Sequence, residues 1–140
     1  GHLEEDEAPK LYLLYPQGNW IEIGQGTPFV IIGNSGFGTP ILKRSLTYNT
    51  SLEFGLKGGF LSFDATRISA NDVDYPIDTV VLKKNEFNIR EHRFHERDLG
   101  HIADFWNTKL SSAIDKLPAD ALNNAFANDQ EQDVITTDAT

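Results

Sequence analysis

The feature that most constrains this chain is a run of four apolar residues, Phe29-Val30-Ile31-Ile32, that passes directly into Gly33-Asn34-Ser35-Gly36-Phe37-Gly38. A continuous apolar run of strand length, without alternation, suggests a strand covered on both faces. Three glycines in the next six residues mark a tight loop in which the backbone comes close to something. The rest of the sequence supplies only three clear helical patterns, too few to cover both faces of the strands it encodes. The chain therefore reads as half of a layered structure, with something outside it expected on the open face.

The other elements follow from local pattern. Lys10–Tyr15 (KLYLLY) and the alternating Trp20-Ile21-Glu22-Ile23, joined through Pro16-Gln17-Gly18, read as a β-hairpin. Thr39-Pro40 reads as N-cap and first-turn proline of a helix through Leu46. Thr50 and Glu53 have the spacing of a capping box, opening a second helix through Leu52, Leu56, Phe60 and Phe63. Gly55, Gly58 and Gly59 each weaken that helix by ~1 kcal/mol relative to alanine, so a close crossing is expected to compensate. Ile77–Lys84 and Phe87–Glu96 read as a second strand pair turned at Lys84-Asn85-Glu86. Asp98 is the expected N-cap of a long helix carrying Leu99, Ile102, Trp106, Leu110, Ile114 and Leu117, ended by Pro118. Helices and strands that do not alternate singly indicate an α+β fold with antiparallel sheets.

Charge sets the limits of the folded part. The chain holds 12 Lys+Arg against 21 Asp+Glu, a formal net charge of -9. Nine acids lie at the ends: Glu4, Glu5, Asp6 and Glu7, and then Asp120, Asp129, Glu131, Asp133 and Asp138. The stretch between Lys10 and Leu117 is balanced. Residues 1–117 are expected to form one domain with an acidic lead-in over 1–9, and residues 118–140 an acidic, disordered tail. Without a basic stripe, no nucleic-acid partner is expected. No apolar run approaches a membrane span, and the acidic start is unlike a signal peptide, so no membrane partner and a cytoplasmic location are expected. Absence of cysteine excludes disulfides and thiol chemistry. With no methionine in the chain, Gly1 is not expected to be a translation start.

Three segments carry a resemblance. Leu14-Tyr15-Pro16-Gln17-Gly18-Asn19-Trp20-Ile21-Glu22 resembles the Tyr-Pro-Gln-Gly-Asn-aromatic-Ile-Glu hairpin of the bacterial proteasome-related peptidases called Anbu, the ancestral β-subunit-like proteins. Ile32-Gly33-Asn34-Ser35-Gly36-Phe37-Gly38-Thr39-Pro40-Ile41-Leu42 resembles their Ile-Gly-x-Ser-x-Tyr-Gly-x-Pro-Ile-Leu segment. Leu61-Ser62-Phe63-Asp64-Ala65-Thr66 and Tyr75-Pro76-Ile77-Asp78 resemble their Ser-Phe-Asp-Ser-Thr and Leu-Pro-Leu-Asp stretches. The resemblance runs from about residue 9 to residue 117 and corresponds to the C-terminal half of the family. It implies an N-terminal-nucleophile (Ntn) hydrolase fold, an αββα four-layer sandwich like a proteasome β-subunit. The implied activity is hydrolysis of peptide bonds by an N-terminal threonine whose own amine is the general base, tuned by an aspartate and a lysine. Those three residues would lie upstream of Gly1, so this chain alone is expected to be inactive.

By the same resemblance, Ser35 matches the serine that supports the nucleophile's amine, and Asp72 matches a second polar position near the active site, with Asp74 as its rival. Read without the resemblance, Gly33–Gly38 is a strand-to-helix turn that Ser35 caps, and Asp72 is a solvated loop acid. The expected partners are like subunits in a ring or helical assembly, the missing N-terminal half, and a peptide substrate. No cofactor is expected.

Three further features carry expectations of their own. His92, His95 and His101 are not expected to bind metal, since His92 and His95 point to opposite faces of a strand. Asp64 is expected to pair with Arg67, and Trp20 to be an exposed contact between subunits. Two other functions stay open at this point: a non-catalytic self-assembling module of proteasome-like ancestry, and an unrelated small α+β binding domain.

Overall fold

A computed structural model describes residue 7, residues 9–24 and residues 26–126. The chain divides into two units, 1–104 and 105–140. In the first, β1 (Leu11–Leu14) pairs antiparallel with β2 (Trp20–Ile23), in a register that sets Leu11 opposite Ile23 and Leu14 opposite Trp20. The connection is a turn in which the Gly18 amide donates to the Tyr15 carbonyl at 3.0 Å, and the Tyr15 amide donates to the Asn19 carbonyl at 2.9 Å. Pro16 presets the first turn angle, and Gly18 takes the left-handed conformation (φ 83°) that twists the two strands into pairing.

Helix α1 (Thr39–Ser45) packs on α2 (Leu52–Arg67). Strands β3 (Ile77–Val81) and β4 (Arg90–Phe94) form a second antiparallel pair, and α3 (Glu96–Asp115) begins in this unit. Buried apolar side chains are few: Leu42 from α1, Ile77 from β3 and Leu99 from α3. Phe60 of α2 meets Phe94 of β4 edge to face, with centroids 5.1 Å apart. The described residues are thus α+β with two two-stranded antiparallel sheets, as the element order predicts.

The second unit holds the rest of α3 and a further helix, α4 (Asp120–Phe126). There the Lys109 ammonium lies 5.5 Å from the Phe105 ring centroid. Helix α4 falls where the sequence shows no sustained periodicity; residues 127–140 of the expected tail lie outside the described residues, as does most of the acidic lead-in.

Several local expectations are corrected. Phe29–Ile32 forms no strand: Phe29, Val30 and Ile31 are half-buried and Ile32 is 84% exposed. A strand exists only by pairing with a neighbour, and no strand among the described residues pairs with it. Thr39 is the first helical residue, not the N-cap. Gly38 takes the cap position with no side-chain bond, while the Thr39 hydroxyl turns back to donate to the Ser35 carbonyl.

Helix α2 is capped by Ser51, whose hydroxyl accepts from the Phe54 amide at 3.2 Å. Thr50 is committed instead to the preceding turn, accepting from the Thr47 amide, and Glu53 pairs with Lys57 at 2.6 Å. Asp98 is the third residue of α3 and reaches back to accept the His95 amide at 2.8 Å. Both strands of the second hairpin are shorter than expected, β3 ending at Val81 and not Lys84, and β4 running from Arg90 to Phe94 and not from Phe87 to Glu96. Of the three glycines in α2, Gly58 alone packs: a Cβ there would lie 3.5 Å from Leu46 and 3.7 Å from Leu42, while Gly55 and Gly59 face open space.

Candidate functional site

Two loops carry the residues singled out in the sequence. The first, 33–38, leads into α1. Gly33 has a φ of 87°, which only glycine adopts without strain, and it turns the chain out of the apolar run. At the other end Gly38 is buried flush against Ser62 of α2; a Cβ at Gly38 would fall 1.9 Å from the Ser62 hydroxyl oxygen. Between them Ser35 is exposed and is held through its backbone. Its carbonyl accepts both the amide of Thr39, at 3.2 Å, and the Thr39 hydroxyl. The Ser35 hydroxyl caps nothing and has no partner among the described residues. It is a solvent-facing polar group on a backbone tied to Thr39 and seated on α2 at Gly38.

The second loop joins α2 to β3 and contains Asp72 and Asp74, both exposed. The Asp74 carboxylate accepts the amide of Tyr75 at 2.8 Å. No bond or ion pair engages Asp72 among the described residues, and none joins it to Ser35.

Beneath this loop lies a charged cluster. Asp64 is almost wholly buried, its side chain 8% exposed, and it accepts a hydrogen bond from Arg67 at 3.0 Å, as their spacing on the helix predicts. The guanidinium of Arg67 in turn lies 5.4 Å from the centroid of the Tyr75 ring. The hydrogen bond to Asp64 raises the Arg67 pKa, against the opposing effect of burial. Burial pushes the Tyr75 phenol above its ordinary value of 10.0, and the nearby Arg67 charge offsets part of that shift. The Arg67–Tyr75 contact has no signal in the sequence, because nothing in an eight-residue separation across a loop specifies stacking.

On β4 the His92 ring packs against Phe94, with centroids 4.4 Å apart, and among the described residues no group of His, Asp and Glu assembles at metal-binding geometry. No helix among those residues is long and apolar enough to cross a membrane. Trp20 is 60% exposed and stacks edge to face on Tyr12 at 5.1 Å. An open cavity of about 440 Å³ lies against this hairpin, lined by Lys10, Leu11, Tyr12, Leu14 and Trp20.

No family model matches the sequence, and no curated protein does. Solved structures do. The chain is 35% identical to Anbu from Hyphomicrobium sp. strain MC1, with a TM-score of 0.77 over 81% of this chain and 50% of that one. It is 34% identical to Anbu (ancestral beta-subunit) from Yersinia bercovieri, with a TM-score of 0.76 over 80% and 49%. It is 36% identical to the chain in the helical assembly of the Anbu complex from Pseudomonas aeruginosa, with a TM-score of 0.76 over 81% and 48%. The match spans about half the length of these chains. Agreement in both sequence and backbone over four-fifths of the chain overturns the alternative of an unrelated α+β domain, and the chain belongs to the Anbu family of proteasome-related, ancestral β-subunit proteins.

Proposed function

We propose that this chain is the C-terminal part of a proteasome-like, N-terminal-threonine peptidase subunit. The observation that carries this reading is the match to Anbu structures over 81% of the chain but only half of theirs. In this reading the two hairpins each contribute to one of two stacked sheets in an αββα sandwich, and the portion bearing threonine, aspartate and lysine supplies the rest. The threonine hydroxyl attacks the peptide carbonyl, its amine takes the proton, and the supporting groups hold that amine in register. Ser35 is the supporting group on this side, its hydroxyl unengaged while its backbone is tied to Thr39. Asp72 is the second, since Asp74 is already spent on the Tyr75 amide.

Like subunits are the proposed partners, in a ring or helix, because the Pseudomonas aeruginosa relative is a helical assembly. Peptide is the proposed substrate and the cytoplasm the proposed location. Reading the sequence encoded upstream of Gly1 tests the proposal. A short pro-segment followed by a threonine, with an aspartate and a lysine after it, is the expected result, and a stop codon or an unrelated linker there overturns it. Activity gives a second arm: residues 1–140 alone are expected to leave fluorogenic peptides uncleaved, and the chain joined to its threonine-bearing portion to cleave them.

A second reading, a self-assembling module without catalysis, is favoured by the exposed apolar hairpin, where Leu14 is 73% and Trp20 60% exposed. An intact subunit that assembles but releases no product would select it.

A further inference from the structure

The loop between α2 and β3 returns to the helix it leaves. At its start the Ser69 and Ala70 amides both donate to the Thr66 carbonyl, at 3.0 and 2.8 Å. At its end the Tyr75 ring lies against the Arg67 guanidinium, 5.4 Å from centroid to carbon. Arg67 is fixed from its other side by the buried carboxylate of Asp64. Its Nε is buried and has no hydrogen-bond partner among the described residues, so Asp64 and Tyr75 are the two contacts seen to set the guanidinium's position. Between the two anchored ends Asn71, Asp72 and Asp74 stand exposed, and Asp74 closes on the Tyr75 amide.

From this arrangement we infer that Arg67 is the positioning residue of the 68–75 loop: by holding Tyr75 against the last turn of α2, it fixes where Asp72 is presented. Arginine suits this role because one edge of its planar fork can bond a carboxylate while its face stacks on a ring. A lysine at this position keeps the charge beside Asp64 but offers no face to Tyr75. The importance of Asp72 rests on the peptidase reading above; the anchoring of the loop does not.

Amide hydrogen exchange on the chain, wild type against Arg67→Lys and Tyr75→Leu, tests the anchoring. Both variants leave a cation beside Asp64 or the pair intact, which guards against loss of the fold. The amides of Ser69, Ala70 and residue 75, each taken relative to its intrinsic rate, are expected to exchange about fivefold faster or more in each. The Leu46 amide, bonded to Leu42 at the end of α1, is expected to stay at the wild-type rate. Tyr75→Phe keeps the ring and should restore wild-type exchange. Wild-type rates at all three loop amides in either Arg67→Lys or Tyr75→Leu would overturn the inference.

A kinetic arm in the chain joined to its threonine-bearing portion separates positioning from mere stability. Arg67→Lys is expected to lower kcat with KM little changed at temperatures well below unfolding. Faster loop exchange with an unaltered kcat would overturn the positioning role. A wild-type subunit that cleaves nothing would count against the peptidase reading instead, with the exchange arm still deciding whether Arg67 anchors the loop.

Discussion

Gly38 and Ser62 touch so closely that no side chain fits between them: a Cβ at Gly38 would lie 1.9 Å from Ser62 Oγ, 3.1 Å from its Cβ and 3.2 Å from its carbonyl oxygen. This contact seats the loop that carries Ser35 on helix α2. The backbone at Gly38 is ordinary right-handed (φ -84°, ψ -31°), so glycine is required there for space and not for conformation. Gly38→Ala is therefore expected to destabilise the chain by about 1–3 kcal/mol through overpacking. The hydroxyl can rotate away but the Ser62 Cβ and carbonyl cannot, so adding Ser62→Ala should recover part of the loss and not all of it. Urea unfolding of the two single variants and the double variant measures the coupling; strict additivity would show that the contact is absent.

The glycines within α2 behave oppositely. An alanine Cβ at Gly58 would sit at ordinary van der Waals distance from Leu46 and Leu42, and at Gly55 or Gly59 it would meet nothing. Each Gly→Ala change is expected to stabilise the chain by up to about 1 kcal/mol through helix propensity. Loss of self-association in Gly55→Ala or Gly59→Ala, with stability raised, would place that face of α2 against a neighbouring subunit.

Asp64 supports α2 from within. Replacing it by asparagine leaves the Arg67 guanidinium partly buried against a neutral acceptor, with an expected cost of about 1.5–3 kcal/mol. Thermal unfolding of Asp64→Asn against Asp64→Asn/Arg67→Met checks this. The double variant should be the milder, because removing both partners leaves no charge without its counterion.

Patterns with strong local causes are legible in the sequence: the Pro16–Gly18 turn, the Asn85 turn (φ 63°), α2 and α3, and the Asp64–Arg67 pair. What is not legible there depends on choice among equivalent neighbours or on partners elsewhere. Thr50 and Ser51 can each cap α2, and only the preceding turn, which takes the Thr50 hydroxyl, decides for Ser51. Phe29–Ile32 has strand composition but no strand to pair with among the described residues, so composition alone could not make it one. In the candidate site, Ser35 and Asp72 are legible only through the family resemblance. The ring of Tyr75 on Arg67 is not legible at all, because it is a tertiary contact across a loop.

The cross-strand pair of Asp78 and Arg93, two bonds of 2.7 Å, predicts a pH response. Hydrogen bonding to Arg93 lowers the Asp78 pKa below its ordinary value of 3.8. A carboxylate with a depressed folded-state pKa contributes fully above the unfolded value and loses that contribution as the pH falls through the folded one. The stabilisation from this pair should thus be present in full and constant with pH near neutrality, and be lost in acid, as the pH falls below 3.8. Carboxyl NMR titration should find Asp78 lower in the wild type than in Arg93→Met; an Asp78 unmoved by that substitution would remove the basis for the claim.

The first hairpin predicts association. Leu14, Trp20 and Ile21 are all more than half exposed on a two-stranded sheet, which is marginal alone in water and leaves apolar surface open. Sedimentation velocity of the chain over a range of concentrations is expected to show self-association, weakened by Trp20→Glu, which places a charge beside Tyr12 and opposite Leu14. The same substitution should leave the unfolding midpoint of the chain nearly unchanged, since Trp20 contributes little buried area within it. A monomer at every concentration would mean that this apolar surface needs no second copy, and the proposed assembly from like subunits would lose its support in this chain.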